Sequence, residues 1–515
     1  MLRKLFIIIF ITISIQSWAD VGIFELQKDR MYYNDLSSES SYNQQYMDSD
    51  YILTENLSTI KNFDSFSISL FNPTIFASFN SSTPSGINDG AIWQGKGFNT
   101  QFETGVVFQS KYLNMKLIPK IWLIQNTDFK IIEPAVDSIE YGSIISGMDQ
   151  YQRPGSDYYY EIDLGKSSIE IKYGIFSLEV STDSFILGPA RISPLIMSDN
   201  SAGFNHIRLG LNGLETSIGV FEFNSIMGIL KESEFFDEID DNDNILLSGY
   251  NFSYSPVFLK GFSFGFNRTL TVPEEFVSPE VAFKIYDLAI SGGNIGEPYG
   301  YDKTDQRISF VFDWKFHETG LRLYGEWSKN DYSTNYELFL RTPEHASALT
   351  FGMSKTLGNF FLEFEYSDLI NSRDYELGGL GIGGTFYKHH IVSQGYTNKG
   401  QLLGAGIGSG SDAQTLTLSY LKDKLTLKGY IQRVAIMKDY IYGKHYDSSD
   451  EYSGKDQYPV DRLQFDGKLG FKGMYSLDSL TLFADITADM RYAYNFEPKH
   501  YQPNLYIALG LQYNL

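Results

Sequence analysis

The residues able to do chemistry in this chain are spaced for recognition rather than for reaction. Seven histidines, His206, His317, His345, His389, His390, His445 and His500, include no H-E-x-x-H or comparable metal spacing. His389 and His390 on a strand would point to opposite faces and could not share an ion locally. Cysteine is absent, so thiolate nucleophiles, thiolate metal sites and disulfides are all excluded. A G-x-S-x-G elbow between strand and helix is not evident. The run from Gly378 to Gly384 lacks the flanking strand and helix of a dinucleotide fingerprint and reads as a flexible or closely packed strand start. Asp240, Asn242 and Asn244 alternate within an acidic stretch at 237–244. Ile245 stands where a calcium loop needs Gly and no distal Glu follows, so a solvated acidic loop is the plainer reading and weak divalent binding the alternative. No catalytic residue, cofactor site or metal site is therefore expected. Aromatics beside polar groups remain, at Tyr158, Tyr159, Tyr160, Tyr440, Tyr442, Tyr446, Tyr452 and Tyr458. They suit either stacking on the C–H face of a sugar or an aromatic girdle at a membrane interface.

The elements that would carry such residues repeat one pattern. From about residue 66, segments of about ten residues alternate apolar and polar positions, the signature of strands with one oily and one wet face. Leu505, Ile507, Leu509, Leu511, Tyr513 and Leu515 share one face, opposite Tyr506, Ala508, Gly510, Gln512 and Asn514. Ile308, Phe310, Phe312 and Trp314 oppose Arg307, Ser309, Asp313 and Lys315; Leu463, Phe465, Leu469 and Phe471 oppose Arg462, Gln464, Asp466 and Lys468. Short turns are expected near Lys111-Tyr112, Gly165-Lys166, Asn212-Gly213, His317-Glu318-Thr319, Gly358 and Lys422-Asp423. Asn212-Gly213 is the strongest of these, because both residues tolerate the positive φ of a type I′ turn. Long loops fall between them, near 80–97, 127–156, 182–203, 230–245, 271–304, 330–345, 370–411, 434–459 and 490–502.

Alternating short and long connections, chained through to Leu515, give about eighteen strands in one closed antiparallel transmembrane β-barrel, all-β in class. So wide a barrel has a lumen that side chains cannot fill, so its charged face must line a wet interior and its apolar face must meet lipid. Leu515 is then periplasmic and the long loops are outside. The chain has 515 residues, 41 Lys and Arg against 63 Asp and Glu, and a net charge of −22. That balance excludes a generic nucleic-acid binder, which needs a basic face. Export fits the N-terminus. Arg3 and Lys4 precede an apolar run, and Ser17-Trp18-Ala19 places small residues for cleavage after Ala19. The expected division is a signal peptide at 1–19, a short N-terminal periplasmic segment or plug at 20–64, and the barrel at 65–515.

Three stretches depart from the barrel pattern: Asn88 to Asn99, with Trp93; Gln152-Arg153-Pro154-Gly155; and Leu187 to Ile207, with Gly188, Pro189, Arg191, Asn200, Phe204 and His206. Together they resemble the capsule-assembly Wzi-like family, with Ala190 and Asn200-Ser201-Ala202 departing from its usual residues. The resemblance implies an eighteen-stranded outer-membrane barrel that binds capsular or exopolysaccharide as a lectin, and not an enzyme. By itself, the third stretch is broken by Gly188-Pro189 and Ser193-Pro194, yet Leu195-Ile196-Met197 is too apolar for a solvated loop. It is expected to fold into the lumen, with Arg191 paired to a lumenal carboxylate. Trp93, Arg153, Gly188, Pro189, Arg191, Asn200, Phe204 and His206 are the candidate lumenal plug or polysaccharide contacts. The expected partners are surface polysaccharide and outer-membrane lipid, with a monomer as the oligomeric expectation. A diffusion porin is the alternative, and a barrel enzyme with a spatially assembled triad is the third reading.

Overall fold

The computed structural model describes residues 22–37, 46–47, 50–90, 92–136, 138–237, 243–286, 303–330, 340–341, 343–371, 385–389, 392–447 and 460–515. The expected cleavage site at Ala19, the glycine run at 378–384, most of the acidic stretch at 237–244, His390, Tyr452 and Tyr458 lie outside these residues.

Period-two sequence builds a sheet, and the sheet closes on itself, which removes its edges. Among the described residues the wall has eighteen staves: β1 Phe66–Asn80, β2 Gly97–Ser110, β3 Leu113–Leu117 continued by Lys120–Ile124, β4 Tyr159–Asp163 continued by Ser168–Tyr173, β5 Phe176–Ser181, β6 Asn205–Glu215, β7 Gly219–Lys231, β8 Asn244–Pro256, β9 Phe262–Pro273, β10 Asp305–Phe316, β11 Leu321–Asn330, β12 Ser347–Leu357, β13 Phe360–Asp368, β14 Asp412–Lys422, β15 Leu425–Ala435, β16 Phe465–Ser476, β17 Leu480–Tyr492 and β18 Tyr501–Tyr513. Each pairs antiparallel with the next, and β18 closes on β1 from Tyr506 opposite Asn80 to Gln512 opposite Thr74. A further strand, Leu57–Asn62, pairs with the other end of β1 and extends the seam. Short turns lie at one rim and long loops at the other, which is the periplasmic and extracellular asymmetry of outer-membrane barrels.

The faces follow the alternation. Phe310, Leu469 and Leu509 are half or more exposed on the outer wall, while Arg307, Asp466 and Gln512 are buried inside. Leu463 and Arg462 do not follow it. The stave begins only at Phe465; Arg462 sits in an exposed 3-10 turn at Val460–Arg462, and Leu463 packs on the loop core.

Two of the expected turns are not turns. Gly165-Lys166 lies inside β4, at a break where Gly165 has φ +59° and bridges to Ile118 of β3. A Cβ at Gly165 would stand 2.1 Å from the Ile118 carbonyl oxygen, so the approach requires glycine. Asn212-Gly213 lies inside β6. Pairing to β7 slips between Leu211 and Leu214, and Gly213 takes φ +68°. The same left-handed tolerance that suits a hairpin serves a β-bulge here, and the chain reverses a few residues later, at Thr216–Ile218.

The lumen is filled rather than open. Helix α1, Ile23–Ser37, runs within it at the short-turn end, with Phe24 against Phe71 and the Tyr33 hydroxyl donating to the Gly358 carbonyl at 2.7 Å. At the long-loop end, inward-folding loops build an apolar core from Met148, Leu195, Ile196, Met197, Phe204, Phe386, Tyr387, Tyr396, Leu402 and Leu403. Each large apolar side chain buried there is worth about 1.5–3 kcal/mol, which holds loops that lack a ladder of their own.

Candidate functional site

The loop from β5 to β6 illustrates the central physical problem. Two prolines break its ladder, yet its backbone enters a low-dielectric interior where unpaired N–H groups are costly. Carboxylates projecting inward from the wall solve this. Glu365 of β13 accepts from the N–H groups of Arg191 (2.8 Å), Ile192 (3.1 Å) and Ser193 (2.7 Å). Glu326 of β11 accepts from Leu195 N–H at 2.8 Å. Pro189 offers its carbonyl to Arg322 at 2.9 Å, and Thr350 donates to the Ser193 carbonyl at 2.9 Å.

Arg191 is buried between two acids, Glu363 (2.7 Å) and Asp29 of α1 (2.7 Å), with its guanidinium 3.7 Å from the centre of the Tyr32 ring. Burial disfavours its charge, but Glu363 and Asp29 outweigh that and hold its pKa well above the ordinary value. Asp29 also meets Lys428 at 3.1 Å, and Glu25 meets Lys428 (3.2 Å) and Lys472 (2.5 Å). These partners hold the Glu25 carboxyl down at about 2 in spite of its burial. The loop and the helix thus share one ion network with the wall.

A second loop, between β13 and β14, completes the packing. Tyr387 donates to the Leu195 carbonyl at 2.7 Å, Ser198 to the Gly404 carbonyl at 2.6 Å, and Asn398 to the carbonyls of Ala202 (3.0 Å) and Gly203 (3.1 Å). Sequence reasoning missed this partner. The signal available was Phe386-Tyr387 and Leu402-Leu403, apolar pairs in a stretch otherwise read as a long loop.

The eight candidates divide into four groups. Gly188 (φ +95°), Pro189, Arg191 and Phe204 belong to the lumenal packing; the Phe204 ring lies tilted against those of Phe185 and His206. His206 lies at the start of β6, its Nδ1 donating to the Phe204 carbonyl at 2.8 Å. Arg153 stands apart, binding Asn126 (3.1 Å), Asp128 (2.6 Å) and the Ser156 carbonyl (3.0 Å), so it ties two arms of one loop together. Trp93 and Asn200 meet at a partly open cavity of about 130 Å³ on the long-loop side, with Asp89, Gln94 and Gln401. A second cavity of about 170 Å³, lined by Glu25, Lys28, Arg191, Lys428 and Lys472, lies deeper and shares Asp89 and Gln94 with the first. Of the tyrosines, Tyr158 and Tyr160 are exposed, and the Tyr440 ring lies tilted against Phe496.

Two predictions arise here. Replacing Glu365 by Ala leaves three backbone donors without their acceptor, at about 1–3 kcal/mol for each buried group left unpaired. Hydrogen exchange at residues 191–193 is expected to speed up strongly while the staves stay protected; unchanged exchange would show that the carboxylate is not what holds the loop. The second concerns pH. Burial pushes the Asp89 carboxyl up to about 7, with Glu25 and Asp199 adding to it against Gln94 and Lys472. An acid raised in the folded state favours folding most below its unfolded value, and that advantage falls as pH rises through the folded value. Packing around Asp89 should therefore loosen from pH 4 to pH 7. Trp93-dependent fluorescence should follow this in the wild type and flatten in Asp89→Asn; an identical profile in both would refute the assignment.

The family model of the capsule assembly protein Wzi matches residues 144–451. No curated protein matches the chain. Among solved structures, Wzi from Escherichia coli, an outer membrane protein involved in group 1 capsule assembly and a carbohydrate-binding β-barrel, aligns with a TM-score of 0.59 at 10% identity, covering 98% of this chain and 100% of that one. OprD from Pseudomonas aeruginosa aligns with a TM-score of 0.44 at 7% identity over 92% and 97% of the two chains. OccAB2 from Acinetobacter baumannii aligns with a TM-score of 0.41 at 11% identity over 88% and 98%.

Proposed function

Because the chain belongs to the capsule assembly protein Wzi family, we propose that it is an outer-membrane barrel that binds a surface polysaccharide at its extracellular rim and helps keep that polysaccharide attached to the cell. One observation carries the choice of a binding protein over a channel. The loop at 187–207 is buried across the lumen, with Leu195, Ile196 and Met197 almost wholly out of solvent. A diffusion porin of about eighteen strands keeps an aqueous channel at that level.

The reading is of a lectin-like protein without a catalytic step. The lumenal acids beside the plug serve to hold it: Glu363 binds Arg191, Glu365 and Glu326 accept backbone N–H groups, and Asp29 is shared by Arg191 and Lys428. Residues 20–64 are proposed to act from the periplasmic side, with α1 bracing the plug through Asp29. The candidate contacts at the rim, Trp93 and Asn200, stay with the polysaccharide; Gly188, Pro189, Arg191 and Phe204 are assigned to closure.

The test is direct. Surface polysaccharide extracted from the producing cells is passed over the refolded, immobilised barrel. Saturable binding is expected, and its absence with correctly folded protein would overturn the proposal.

A further inference from the structure

We propose that the pocket at Trp93 seats one uncharged sugar residue of the bound chain, with the indole as platform and Asp89, Asn200 and Gln401 as the hydrogen-bonding rim. This rests on the polysaccharide-binding reading above and adds to it a place and a sugar class.

The pocket is built, not incidental. Its volume of about 130 Å³ is far above the ~10–15 Å³ that one water needs, and it opens on the long-loop side. Trp93 is braced by Phe129 and Tyr151, with ring centres at 6.2 and 6.4 Å. Gly95 makes room for the indole, since a Cβ there would lie 2.7 Å from its ring. A rigid aromatic face with a few fixed polar groups around it is what gives a pocket both apolar contact and orientation.

The polar groups are held in position and keep capacity in reserve. Gln94 donates to Asp89 Oδ2 at 2.8 Å, Gln401 donates to the Gly90 carbonyl at 2.7 Å, and Asn200 donates to the Leu402 carbonyl at 3.0 Å. Among the described residues, Asp89 Oδ1 and Gln401 Oε1 carry no further hydrogen bond, so both can accept from hydroxyls. Gly86 lets the carboxylate come close, because a Cβ there would stand 2.0 Å from Asp89 Oδ2.

Charge then selects the sugar. Among the described residues, Asp89 is the only ionisable side chain lining this pocket, and no lysine or arginine lines it. A uronate would face a carboxyl with no cation beside it in the pocket, and Lys28, Arg191, Lys428 and Lys472 of the deeper cavity are each paired with a carboxylate. Neutral hexose or N-acetylhexosamine residues, rich in hydroxyl donors and with an apolar face, fit this chemistry.

The experiment uses the full-length refolded barrel and the polysaccharide extracted from the producing cells, native and after chemical reduction of its carboxyl groups. Trp93→Ala is expected to weaken binding about tenfold or more, as loss of an aromatic anchor does. Gln401→Ala should weaken it less, and Trp93→Phe should keep part of it. Heat-modifiable migration on gels, as in the wild type, certifies the fold of each variant; if Trp93→Ala fails that check, Trp93→Phe and Gln401→Ala decide. Reduction of carboxyl groups should leave affinity unchanged or raise it. Unchanged affinity in the folded variants would overturn this subsite while leaving polysaccharide binding intact. Loss of binding on carboxyl reduction would overturn the sugar class. Absence of wild-type binding would remove the function and the subsite together.

Discussion

Deleting residues 190–203 should convert a closed barrel into a conducting one. The segment removes Leu195, Ile196 and Met197 from the centre of the loop core and Arg191 from between Glu363 and Asp29. The remaining wall at that level carries Glu326, Glu363 and Glu365, all buried beside the loop and all newly exposed to water. Steady currents in planar bilayers are therefore expected where the wild type shows few, and they should favour cations, because carboxylates exposed on the pore wall attract cations and repel anions. A folded deletion with wild-type conductance would mean that the loop does not seal the lumen, and the channel alternative would gain.

The second large effect concerns the two faces of one stave. Leu509 points outward on β18 and is 61% exposed, whereas Gln512, three residues on, is fully buried inside and donates to Thr74 at 3.0 Å. An arginine facing lipid near mid-membrane costs about 2–4 kcal/mol, and one facing the lumen does not meet that penalty. Leu509→Arg should fold into vesicles at much lower yield than Gln512→Arg, read as the heat-modifiable fraction on gels. Equal yields for the two variants would remove the assignment of faces.

The barrel was legible in the sequence because period two is a local signal repeated along the whole wall, and each repeat is a separate vote for the same facing. Inside and outside could be told apart because Arg307 or Asp466 cannot face lipid cheaply and Leu509 has no reason to face water. Turn positions were less legible. Asn212-Gly213 and Gly165-Lys166 have the residues of a turn, but a positive φ serves a bulge as well as a hairpin, and only long-range pairing separates the two. The plug was half legible. The conflict in 187–207 between broken backbone and apolar side chains pointed inward, but its acceptors, Glu365 and Glu326, lie 131 to 174 residues away in sequence. The ion network from Arg191 to Asp29 joins segments still further from the wall in pattern, since α1 has no apolar stripe strong enough to announce where it packs.

The central claim is that a plugged barrel of this family holds a glycan at its extracellular rim. Binding of the refolded protein to an array of surface polysaccharides and neutral oligosaccharides tests it most directly. Saturable binding to a structurally related subset, lowered in Trp93→Ala, is the expected result. A folded barrel that binds no glycan on the array and opens steady channels in bilayers would contradict it.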